Sequence, residues 1–97
     1  MPYITQDKRH QLDPIIDELH GMLVGLRLDD ESTNTEGNLN YFITRILMLV
    51  YGQANETRYS NINDAIGMLE CCKLEFYRKV AEPYEDQKEF ENGSVDI

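Results

Sequence analysis

Apolar residues along this chain recur at helical spacing in three stretches separated by polar segments, and no segment shows the period of two that marks a strand. In the first stretch Ile15, Ile16, Leu19, Met22, Leu23 and Leu26 form one stripe. The first helical signal starts near Thr5 with a polar turn, Gln6 to Gln11, and Asp13-Pro14 then has the pattern of an N-cap followed by proline at the first helical position. Gly21 and Gly25 each weaken this helix by roughly 1 kcal/mol relative to alanine, and they admit close approach of another backbone. The second helix is predicted from about Asn38 to Tyr51, with Leu39, Phe42, Ile43, Ile46, Leu47 and Val50 as its buried stripe and Gly52 as its stop. Asn61 caps the third helix, where Asp64 sits near the positive end of the helix dipole. Ile62, Ala65, Ile66, Leu69, Cys72, Phe76 and Val80 form its core face.

The segments between these stripes define the boundaries. Residues 28–37, LDDESTNTEG, lose the apolar period and carry four acids, so they read as a mobile loop. Residues 53–60 connect the second and third helices. Pro83 has no amide hydrogen to give, so the chain is expected to kink or stop near Glu82. Tyr84 to Phe90 then suit a short further helix, and residues 91–97 an extended tail. The expected fold is all-α: a single domain over residues 1–97, a small three-helix bundle-like unit with a short C-terminal helix or tail.

Size and charge narrow the picture. A chain of 97 residues makes one domain. So short a domain buries only roughly 60–65% of its unfolded surface, which favours association of copies into a homo-oligomer. Nine Lys and Arg against 18 Asp and Glu leave a net charge of −9. That balance repels nucleic-acid phosphates and argues against direct nucleic-acid binding. It suits solubility, or a surface that mimics nucleic acid toward a binding protein. Cys71 and Cys72, adjacent on a helix, point about 100° apart; they make a poor chelate and a strained disulfide, and are expected as buried, reduced thiols. The first residues show no apolar leader and no stretch has membrane-spanning length, so a soluble cytoplasmic protein is expected and Asn55-Glu56-Thr57 and Asn92-Gly93-Ser94 are chance matches to the glycosylation pattern.

Several motifs resemble a small uncharacterised family seen in phages and bacteria. They are the MPYI start at Met1 to Ile4, the LNY-IT segment of Leu39, Asn40, Tyr41, Ile43 and Thr44, and the stretch Asn61 to Glu70. The KLEFYR run at Lys73 to Arg78, then Pro83-Tyr84-Glu85-Asp86 and Glu91-Asn92-Gly93, extend the likeness. The 28–37 loop departs most, and Lys79 stands where the family often has a second Arg. The resemblance implies kinship and carries no activity with it. By analogy of lifestyle, a short phage-type protein suits an inhibitor or a sequestering agent aimed at host defence.

The candidate site is a polar set on the second and third helices and just beyond: Asn40, Tyr41, Thr44, Arg45, Glu70, Lys73, Tyr77, Arg78 and Tyr84. Glu70, Lys73 and Tyr77 share a helix face by their spacing, and Tyr41, Thr44 and Arg45 lie close together in the same way. Tyr rings stack on a base while Arg and Lys meet phosphate, so a small nucleotide-derived ligand is the expected partner, held by a homo-oligomer. The alternative use of these side chains is a network that fixes helix packing. Asp17-x-x-His20 has ligand spacing, but no second such motif accompanies it, and His10 is too distant to complete it predictably. No metal or cofactor is expected. Glu82, Glu85, Asp86 and Glu89 recur at helical steps in a segment better explained as a solvated face than as a magnesium site, and no catalytic set is recognisable. A non-enzymatic binding protein is therefore expected. The competing functions are an acidic protein–protein inhibitor, including one that mimics nucleic acid, and an assembly protein with no ligand.

Overall fold

A computed structural model of the chain describes residues 2–30, 32 and 34–96. Every regular element among them is helical: α1 (Gln6–Asp29), α2 (Thr35–Tyr51), α3 (Tyr59–Phe76), a π-helical turn (Tyr77–Ala81) and α4 (Glu82–Asn92). The all-α expectation holds. The chain divides into two compact units, Tyr3–Ile62 and Met1–Pro2 with Asn63–Ile97.

In the first unit α1 and α2 touch each other. Pro14 does not start a helix; it lies inside α1. A proline's fixed φ suits a helix, and the loss of one backbone bond is tolerated when the turns on both sides hold. The N-terminal turn is secured independently, because Arg9 Nε donates to the Ile4 carbonyl at 2.9 Å and the Arg9 backbone N–H to Thr5 at 3.1 Å.

The acidic loop is shorter than its composition suggests. Asp29 ends α1, and α2 begins at Thr35 instead of near Asn38. The cause is Asn34, whose Oδ1 accepts the Gly37 N–H at 2.8 Å and so satisfies one orphan donor of the first turn. Glu36 stands at the positive end of the same helix. Of the loop acids, Glu31 lies outside the described residues, as does Met1 of the MPYI start. Gly52 closes α2 at φ +94°, its N–H reaching the Met48 carbonyl at 3.0 Å. Thr57 Oγ1 donates to the Tyr51 carbonyl at 2.6 Å and folds the linker back on the helix end.

The second unit is dominated by one continuous helical run from α3 through α4. Pro83 neither stops it nor leaves a simple α-helix. The preceding turn widens, so that the Glu82 N–H donates to the Tyr77 carbonyl, five residues back. The wider turn moves the proline ring away from the carbonyl it would otherwise strike. The expected short helix is correspondingly longer, Glu82–Asn92, and Gly93 ends it at φ +89°.

The apolar stripes fall where the periodicity puts them, but they are not buried. No described side chain, hydrophobic or polar, is buried. Leu19, Leu23, Leu47 and Ala65 are half-buried, whereas Ile15, Ile16, Val50, Ile66 and Phe76 are exposed. Cys71 and Cys72 are exposed free thiols, against the expectation of buried ones. The reason is shared: an apolar stripe stays wet until another surface covers it.

Candidate functional site

On α2, residues one helical turn apart line an open hollow of about 490 Å³ formed by Glu36, Gly37, Asn40, Tyr41 and Thr44. Three of these, Asn40, Tyr41 and Thr44, belong to the set expected from the sequence. Thr44 Oγ1 donates to Asn40 Oδ1 at 3.0 Å, which fixes the carboxamide and directs its amide hydrogens to other acceptors. Tyr41 is 67% exposed, so its ring presents a stacking face. Glu36 adds a carboxylate acceptor, and Gly37 keeps the wall low. Arg45 comes next on α2, outside this lining.

Sequence pattern misses Glu36 and Gly37, because their composition places them in the acidic loop. The signal that finds them is Asn34 as a cap, which brings the next three residues into the first helical turn.

The remaining candidates lie along the continuous helix of the second unit. Glu70 and Lys73 form an ion pair at 2.9 Å, and Arg78 Nη2 meets Glu75 Oε1 at 3.1 Å. Each joins residues three apart; the first is exposed and worth at most about 1 kcal/mol, whereas in the second the Glu75 carboxylate is half-buried. Tyr77 is exposed at the start of the π turn. Tyr84 lies beyond it, with Lys88 Nζ 5.6 Å from its ring centroid. The π turn contributes one extra residue to the helical cycle, which rotates the downstream residues by about 100°. Tyr84 therefore leaves the face shared by Glu70, Lys73 and Tyr77, and comes into line with Phe76.

A second hollow, about 420 Å³, lies along α3 and the π turn. Its lining includes Met68, Cys71, Cys72, Phe76 and Val80, with Glu75 and Lys79 also contributing. This is an apolar groove, and periodicity alone does not separate it from a core stripe. At Asp30 the Ser32 hydroxyl at 2.6 Å and its backbone N–H at 3.0 Å hold the carboxyl below its ordinary range.

These features define an all-helical protein with a polar hollow on one helix and an apolar groove on another. The chain belongs to the family described as a domain of unknown function (DUF6899), whose model matches residues 1–95. No curated protein and no solved structure matches it. Among the described residues, no helix is long and apolar enough to cross a membrane.

Proposed function

We propose that this chain is a non-enzymatic cytoplasmic binding protein that works as a homo-oligomer and sequesters a small nucleotide-derived ligand. The observation that carries the reading is the α2 hollow, where an exposed ring, an oriented amide and a carboxylate stand together. Tyr41 offers a face for a base, Asn40 donates to its acceptors, and Glu36 accepts from an exocyclic amine. Arg45, one residue beyond Thr44, supplies positive charge for phosphate. Homo-oligomerisation is supported by the burial pattern, because each apolar stripe gains cover only from another surface. The resemblance to phage-type proteins fits a sequestering role directed against host defence.

Native mass spectrometry with a panel of cyclic and linear nucleotides tests this. Retained ligand on an oligomer is the expected result. Tyr41→Ala and Asn40→Ala should each abolish retention while leaving subunit count and melting temperature unchanged. Tyr77→Ala and Arg78→Ala ask whether the helix of the second unit joins the same site. An oligomer that retains nothing from the panel removes the ligand, and a monomer removes the assembly as well.

A second reading has its own support. On α4, Glu82, Glu85, Asp86, Glu89 and Glu91 are all exposed, a surface suited to an acidic protein–protein inhibitor. Charge reversal at Glu85, Asp86 and Glu89 should impair such an inhibitor and be nearly silent for a nucleotide binder, as should reversal at Asp29, Asp30 and Glu31 if the acidic loop shares the surface.

A further inference from the structure

We propose that α1 holds divalent transition-metal ions, zinc(II) foremost, between two antiparallel copies of the chain. The site uses none of the α2 residues and stands independently of the nucleotide reading.

The ligands form a symmetric row. His10, Asp13, Asp17 and His20 follow one another at steps of three, four and three residues along one continuous helix. At about 100° per residue, all four fall within about 80° of the helix circumference. Half-buried Leu19 lies about 140° around from the middle of that row, so the row faces away from the apolar stripe. All four residues are exposed, and none of their side chains has a hydrogen-bond or ion-pair partner among the described residues. Nothing has to be broken before they bind an ion.

One copy does not complete the site. Among the described residues, no three His, Cys, Asp or Glu side chains of a single chain are placed to hold a metal ion. Asp17-x-x-His20 offers two ligands, and His10-x-x-Asp13 carries the same two in reverse order. Turning a second copy end for end restores the order. About a two-fold axis level with Ile15, His10 of one copy stands level with His20 of the other, and Asp13 with Asp17. The histidine and aspartate layers are about 4.5 Å apart along the axis, the same three-residue step that carboxylate and histidine ligands take in metal-binding helical bundles. Each cluster then gathers two imidazoles and two carboxylates, a donor set for tetrahedral zinc. The symmetry makes two such clusters, about 10 Å apart.

Charge ties the second copy to the ion. Without a cation, Asp13 of each copy would face Asp17 of the other, and like charges repel. The two carboxylates of a cluster are cancelled by one divalent ion. Imidazole selects zinc over magnesium or calcium, which take oxygen ligands.

Native mass spectrometry of the full chain tests this, in a Cys71→Ser and Cys72→Ser background because both thiols are exposed and would take zinc themselves. With zinc chloride, species of even chain number should carry one zinc per chain. EDTA should remove it, and magnesium chloride should not replace it. His10→Ala alone and His20→Ala alone should each lose zinc. Mixing these two variants should recover one zinc per pair, because the mixed pair holds one complete cluster and one without histidine. Mixing His20→Ala with Asp17→Asn should recover none, since each cluster then lacks a ligand. Zinc on single chains, zinc kept by either histidine variant alone, or a first mixture that fails to recover would overturn the two-copy site. An oligomer that retains no zinc would overturn the metal site and leave the homo-oligomer reading standing. A monomer that retains none would overturn both.

Discussion

The Glu82 backbone N–H donates to the Tyr77 carbonyl, a reach of five residues where an α-helix takes four. The next residue is Pro83, which has no N–H and whose ring crowds the carbonyl four positions back. The wide turn and the proline are therefore one feature. It accounts for a helix that continues to Asn92 through a residue that normally ends one.

Replacing that proline should restore the regular ladder. In Pro83→Ala the new amide closes an ordinary four-residue bond, and the helix gains up to about 3 kcal/mol of local stability. Hydrogen exchange should show new protection at position 83 and a shift of the bonding pattern over Tyr77–Ala81. A π turn that persists in the variant would mean that something other than the proline opens it.

Gly52 and the glycines of α1 should respond to alanine with opposite signs. Gly52 combines φ +94° with ψ 168°, a region nearly reserved for glycine, and an added Cβ would stand 3.2 Å from Thr57 Cβ. Gly52→Ala should cost about 1–3 kcal/mol in chemical denaturation. Gly21 and Gly25 have nothing within 4 Å of an added Cβ, so alanine there should stabilise by up to about 1 kcal/mol each. If Gly21→Ala or Gly25→Ala instead weakens the protein, another backbone packs against α1.

The Asp30–Ser32 turn should depend on pH in one direction. Hydrogen bonds from Ser32, the hydroxyl first and the backbone N–H second, favour the ionised carboxylate and lower its pKa from 3.8. Their contribution is therefore present above the ordinary carboxylate pKa and lost as pH falls through the lowered folded value. An NMR titration of Asp30 should show a midpoint below 3.8 that rises toward it in Ser32→Ala. Equal midpoints in the two proteins would show that the hydroxyl does not act on the carboxylate.

The fold class is legible in the sequence because the apolar period of 3.6 is strong in three stretches and no alternating pattern competes with it. Helix ends are less legible, each for a local reason. Gly37 and the neighbouring acids disguise the first turn of α2, although Asn34 marks it as a cap. Pro14 and Pro83 look like punctuation, yet intact flanking turns carry α1 past one and a widened turn carries the chain past the other. Burial escapes the pattern because periodicity identifies a face that prefers cover without saying what covers it. The same limit applies to the site. Asn40, Tyr41 and Thr44 come together because they are one turn apart on a single helix, whereas Lys73 and Arg78 have carboxylate partners on their own helix that spacing only hints at.

Leaving the apolar stripes no more than half-covered has a consequence for the life of the molecule. Under the proposed assembly, the free energy that holds each chain in shape depends on how many copies surround it, so dilution acts as a denaturant. A cell making few molecules would hold mostly loose chains, and one making many would cross sharply into the working form.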